Sequence, residues 1–212
     1  MTMFDNSDFD DSWKPGNQQW QDWQLKHAVT KLIERTGEPP GSVHTKDTPE
    51  RFLKAWDFWT QGYAQDPLAV LRTFDAPGDD GMVFQANIPI WSLCAHHLAP
   101  FWGVAHIGYI PHGKVVGLSK LARLADVFAR RLQTQEHLGS MVADALFGSP
   151  LGCLGVGVVL QCRHACMESR GVQKAGTLTI TSALRGAMRN EADCRAEFMS
   201  LVNVAVQGAK GV

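Results

Sequence analysis

The spacing of apolar positions changes character several times along the chain. From Gln19 to Arg35, Trp20, Trp23, Leu25, Ala28, Val29 and Leu32 recur close to the helical period, and "GEPPGS" ends the run. "DTPERFLKAWDFWTQGY" predicts a second helix: Asp47 or Thr48 caps it, Pro49 suits its first turn, and Phe52, Trp56 and Trp59 share a side. "DAPGDDG" reads as a loop. From Met82 the spacing shortens. "MVFQANIPIW" alternates in part, "FWGVAHIGYIP" reads as a strand ending at Pro111, and "HGKVVG" reads as a turn. "LSKLARLADVFARRLQTQEHLGSMVADALF" is the longest helical signal, with Leu118, Leu121, Ala125, Phe128 and Leu132 as its stripe. It reads as one bent helix or two in sequence, with Gly139 arguing against a straight run. "GVGVVLQCRH" and "TLTITSALRG" alternate as strands, and "CRAEFMSLVNVAV" closes with a helix. The order predicts an α+β fold with a largely antiparallel sheet and an N-terminal helical extension. Its expected divisions are a disordered or loosely packed arm over 1–18, a helical region over 19–81 and the sheet-bearing region over 82–212.

Composition narrows the class. With 212 residues, 45% hydrophobic and 19% charged, the chain has material for one real core. A formal net charge of −1 excludes nucleic-acid binding by bulk electrostatics, so an anionic ligand needs a local basic cluster. No apolar run approaches the roughly 20 residues that cross a bilayer. The acidic, polar start has neither the basic n-region nor the apolar stretch of a secretory signal. Five cysteines, at 94, 153, 162, 166 and 194, are too sparse for a disulfide scaffold. A reduced cytoplasm is the expected setting, where such cysteines point to metal or catalysis.

Chemistry concentrates in two segments. In "SLCAHHLAP", Cys94 and His97 are three apart, so a helical turn or tight loop aims both at one point. In "CRHACMESRG", Cys162, His164 and Cys166 alternate by two and would share a face of an extended strand. Thiolate and imidazole donors suit zinc first and ferrous iron second. Two ligand sets stand open. Four protein ligands, with Cys162 or His164 completing the tetrahedron, make a structural site. Three ligands leave a place for water, whose pKa zinc lowers to about 7, with spare histidines beside it for acid–base work. Cys162, Cys153 and Cys194 read individually as core thiols. Between the two segments, "GKVVGLSKLARLADVFARR" carries Lys114, Lys120, Arg123, Arg130 and Arg131 against Asp126 alone. Ser119, Lys120 and Arg123 near a helix start make a phosphate site or simply a solvated face. Arg170 adds a second arm, and "QTQEH" sets Gln135 beside Glu136.

Four blocks together resemble the GTP cyclohydrolase I family: "DTPERFLKAW", "SLCAHHLAPFWGVAHIGYIP", "KVVGLSKLARLADVFARRLQTQE" and "GVGVVLQCRHACMESRGVQKAGTLTITS". The resemblance runs from about Gln24 to Val206. It implies the T-fold, an antiparallel sheet backed by two helices, joined between subunits into rings, commonly two face-to-face pentamers with active sites between subunits. It implies conversion of GTP and water to 7,8-dihydroneopterin triphosphate and formate, as in pterin and folate biosynthesis. By position, Cys94, His97 and Cys166 resemble the zinc ligands, and His96 and His164 the catalytic histidines. Glu136 resembles the carboxylate that reads the guanine edge, with Gln135 beside it. Ser119, Lys120, Arg123, Arg170 and Arg51 resemble the groups around ribose and triphosphate. The chain has no GxxxxGK[ST] loop, in keeping with a triphosphate that is bound but not cleaved.

The chain also departs from the family, which usually reads Cys-Glu-His-His where this sequence has Ala95. That removes about one negative charge beside the site. Two further readings stand beside the main one. One is a variant with altered product, or with a related purine nucleotide serving a deazapurine pathway. The other is a non-catalytic zinc- or nucleotide-binding relative.

Overall fold

The computed structural model describes residues 18–39, 41–78 and 80–208. The arm expected over 1–18 lies, but for Gln18, outside the described residues. The chain divides into two compact units, Met1–Phe58 and Trp59–Val212. The first holds α1 (Gln18–Glu34) and most of α2 (Thr48–Thr60), tied by a 3.7 Å ion pair between Lys26 and Glu50.

The second unit is built on strands β1 (Thr73–Asp75), β2 (Val83–Cys94), β3 (Pro100–Ile110), β4 (Lys114–Val116), β5 (Leu132–Gln133), β6 (Gly155–His164) and β7 (Thr179–Gly186). Its helices are α3 (Leu118–Ala129), α4 (Gln135–Phe147), the one-turn α5 (Ala165–Glu168), α6 (Ala187–Asn190) and α7 (Ala192–Gly208). The main sheet has the order β5-β2-β3-β6-β7. Every pairing in it is antiparallel except the two-residue contact of β5 with β2. This is the antiparallel sheet backed by two helices that the resemblance implies.

Alternation places the core. Phe101, Ala105, Ile107 and Tyr109 of β3 and Val156, Val158, Leu160 and Cys162 of β6 point to one face. There they meet Leu121, Leu124, Ala125 and Phe128 of α3 and Leu138, Val142, Ala143 and Leu146 of α4. Each fully buried large aliphatic or aromatic side chain contributes about 1.5–3 kcal/mol. On the other face Phe198 and Val202 of α7 cover Val159.

Three expectations need correction. "HGKVVG" is more than a turn, because Lys114–Val116 pairs with Thr73–Asp75 as a two-stranded ribbon. The long helical signal is two helices, but the break lies at 130–134 and not at Gly139, which is buried within α4. Leu132 therefore leaves the helical stripe for β5, and Leu118 is exposed. The alternation of Cys162, His164 and Cys166 also fails, because the strand stops at His164 and Cys166 sits in α5.

Candidate metal centre and active site

Antiparallel pairing of β3 with both β2 and β6 makes β2 and β6 run the same way, so both end on one side of the sheet. Cys94 is the last residue of β2 and His164 the last of β6, with Phe101 of β3 registered against His164. The turn after Cys94 is tightly tied. Cys94 N–H donates to Ala99 O (2.8 Å), Leu98 N–H to Cys94 O (2.8 Å) and Ala95 N–H to Gln133 O (2.9 Å). Leu98 takes a positive φ of 52° within it.

That turn brings His97 back over Cys94, with 3.8 Å between Cys94 Sγ and His97 Nδ1. Cys166 arrives from α5, and one donor atom from each of Cys94, His97 and Cys166 lies within 4.8 Å of the others. Zinc at about 2.3 Å from sulfur and 2.0 Å from nitrogen sets tetrahedral ligand atoms roughly 3.5–3.8 Å apart, so the trio fits with small adjustment. Burial first, and the adjacent Cys94 sulfur next, push the Cys166 thiol up. A bound cation reverses that balance. His96 Nδ1 stands 4.0 Å from Cys94 Sγ, with its ring 6.2 Å from that of His97 and nearly perpendicular to it.

Cys162 lies in the core beneath β6, with its thiol pushed up to about 12 by burial. A group so reluctant to ionise is a packing residue, as is Cys153, raised to about 11. Cys194 departs from its core reading. It is half-exposed on α7, with its thiol 3.4 Å from Glu191 Oε2.

His164 is held on two sides. Its ring stacks on Phe101 (4.8 Å, 11°), and its Nε2 is 2.9 Å from Gln135 Oε1. Gln135 is itself buried, and its amide nitrogen faces Leu160 O (3.2 Å), Thr179 O (3.0 Å) and Thr181 Oγ1 (3.1 Å). Since the amide oxygen only accepts, His164 carries its hydrogen on Nε2 and keeps Nδ1 as a lone pair. Burial lowers the His164 pKa, and the charge of Glu136 partly opposes it. Glu136 is exposed in the first turn of α4, a helix capped by Thr134 Oγ1, which accepts from His137 N–H (3.2 Å).

The remaining candidates lie on other segments, and of these Arg170 bears on the cluster, its charge opposing the rise of the Cys166 thiol. Ser119, Lys120 and Arg123 occupy the first turns of α3, whose opposite end leads into β5 beside Cys94. Arg170 follows α5. Arg51 belongs to the first unit, on α2, where it pairs with Asp47 (3.2 Å). Sequence reasoning missed Phe101, Thr179 and Thr181. No motif marks them, and only strand register brings them to His164 and Gln135.

A family model described as GTP cyclohydrolase I matches residues 25–203. The chain belongs to the GTP cyclohydrolase I family. A "GTP cyclohydrolase 1" of Nitrosospira multiformis is 49% identical over 85% of this chain and 92% of its own length. Another, of Janthinobacterium sp., is 46% identical over 89% and 92%. Among solved structures, the archaeosine synthase QueF-Like in its apo form matches 50% of this chain and 93% of its own. That match has 15% identity and a TM-score of 0.38. Family membership agrees with the Cys94–His97–Cys166 cluster as a place able to hold a metal ion. Among the described residues no helix is long and apolar enough to cross a membrane.

Proposed function

We propose that this chain is a zinc-dependent GTP cyclohydrolase I that converts GTP and water to 7,8-dihydroneopterin triphosphate and formate. The observation that carries the reading is the closing of a three-donor set while two histidines stay outside it. Cys94, His97 and Cys166 hold zinc. Zinc bound there would supply Lewis acidity and a water acidic enough to ionise near neutral pH.

The side chains divide the remaining work. His164, with its hydrogen fixed on Nε2 by Gln135, offers Nδ1 for proton transfer at the purine ring. His96 is the second proton carrier, on the Cys94 side of the cluster. Glu136 accepts from the guanine edge at the start of α4. Ser119, Lys120, Arg123, Arg170 and Arg51 bind and orient ribose and triphosphate, so their role is positioning rather than bond cleavage.

The working form is a cytoplasmic homo-oligomer, a decamer of two pentamers with sites between subunits. The outer edge of β7, which ends the sheet, supplies backbone groups for pairing with a neighbour's strand.

The test is incubation of purified, zinc-loaded protein with GTP, following formate and the fluorescent oxidised neopterin. Both products are expected. Formate without neopterin would place the chain among variants that stop at a ring-opened product. Neither product, with zinc and GTP both bound, would make it a binding protein.

A further inference from the structure

Cys166 reaches the ligand cluster from an unpromising support. The strand that precedes it stops at His164, and α5 is a single turn of four residues. Ordering so short a helix needs contacts from outside it. Ser169, which caps the turn, gives one, its N–H and Oγ–H both donating to Ala165 O (2.8 and 2.7 Å), and Lys174 N–H gives a second by donating to Met167 O (3.0 Å).

The third contact is made by side chains on either side of Cys166. Arg163 Nε donates to Glu168 Oε1 (2.7 Å) and Arg163 Nη2 to Glu168 Oε2 (2.5 Å), a two-pronged charge-assisted pair. Arg163 foremost, and the Gly176 amide in the loop leading into β7 to a lesser degree, lower the Glu168 pKa. The Glu168 side chain is only 13% exposed, and Arg163 rests on a platform. Its guanidinium lies 5.6 Å over the Trp102 ring, and Trp102 stacks on Trp91 at 5.7 Å and 18°. The pair thus joins β6, the α5 turn and the following loop, with strands β2 and β3 beneath.

We infer that the Arg163–Glu168 pair is a positioning device that holds the Cys166 arm of the metal site at coordinating distance from Cys94 and His97. The inference rests on the assignment of those three residues as zinc ligands. Among the described residues no hydrogen bond or ion pair links Arg163 or Glu168 to a ligand side chain, so they act through the turn between them. With the Arg163 side chain 45% exposed, solvent screens the pair and its contribution to fold stability is small, so a merely structural role predicts little change in metal-free stability when it is broken. Outer-shell partners of metal ligands behave differently, and their loss typically weakens metal binding by about 10–100-fold.

The experiment is zinc competition with a chromophoric chelator, on the full chain and on Glu168→Gln, Arg163→Met and Arg163→Lys. Thermal unfolding of the metal-stripped proteins runs alongside. The expected result is a zinc Kd raised by about tenfold or more in Glu168→Gln and Arg163→Met. Arg163→Lys, which keeps the charge but loses the fork, should fall between. The metal-free unfolding midpoints should stay close to the parent's. Unchanged affinity in a zinc-binding parent background would overturn this inference alone. Affinity lost in step with metal-free stability would overturn it too, as the pair would then be a general structural contact. A parent chain that takes up no zinc would overturn the ligand assignment itself, and this inference with it.

Discussion

The side chain of Gln135 has three acceptors around its amide nitrogen and one partner, His164 Nε2, on its oxygen. A leucine of similar volume keeps the packing beneath β6 and β7 but leaves His164 free to turn or change tautomer. Gln135→Leu should therefore lower kcat by about 10–100-fold while zinc stays near one per chain by metal analysis. Loss of zinc instead would mean that the amide supports the ligand set, not the proton carrier. Ala95 poses the converse question. It is exposed, and the contact that fixes it is its N–H to Gln133 O, so a longer side chain has room there. Ala95→Glu should leave zinc content unchanged and raise turnover with GTP. An equal or lower rate would show that the surroundings already compensate for the missing carboxylate. Both residues belong to segments whose chemistry was readable in the sequence. What Gln135 touches was not, since its partners come from β6 and β7 through register.

Helix α7 lies over a pair of glycines, and its docking explains features that no local signal carries. A Cβ on Gly157 would stand 2.7 Å from the Phe198 ring, and one on Gly108 2.9 Å from it. Phe198 is fully buried, so its ring has nowhere easy to go. Gly157→Ala should cost about 1–3 kcal/mol in chemical denaturation. An unchanged midpoint would show that the helix shifts without loss. On the same face of the sheet His106 is buried, stacked on Phe84 at 6.2 Å, with Nδ1 accepting from Asn87 N–H (3.4 Å). Its Nε2 has no hydrogen-bond partner among the described residues. Burial lowers its pKa from 6.5, so below that pH the unfolded chain binds a proton that the folded chain resists. Stability should fall as pH drops from about 6.5 towards the lowered folded value, by at most about 1.4 kcal/mol per pH unit for this one group. His106→Leu should show a shallower acid limb than the parent in denaturation series from pH 7.5 to 5. A parallel limb would assign the pH dependence to other groups. Periodicity read these helices and strands well where one face is buried. It failed at Gly139, which lies buried inside an unbroken α4, where a Cβ would meet Leu160 only at ordinary contact distance (3.5 Å). It failed again at Cys166, where spacing by two carries no mark of the strand's end.

Across the whole molecule, the three proposed ligands come from two places, the end of β2 and the turn after β6, with β3 between them. Metal bound to all three would join segments that the chain itself connects through the whole run from β3 to β6. Such a joint exists in the folded chain and not in the unfolded one, so zinc binding is linked to folding. At free zinc one hundred times Kd the linkage is worth about 2.7 kcal/mol. For a chain of this size that is a rise of roughly 5–10 °C in the unfolding midpoint. His97→Ala removes one donor without opening the core, because His97 is exposed. Its metal-free midpoint should match that of the stripped parent, and added zinc should raise it far less. Scanning calorimetry of both proteins, with and without zinc, separates the cases. An equal zinc-dependent rise in His97→Ala would mean that the stabilising metal sits elsewhere. A lower midpoint already present without zinc would mean that His97 supports the turn after β2 rather than the metal.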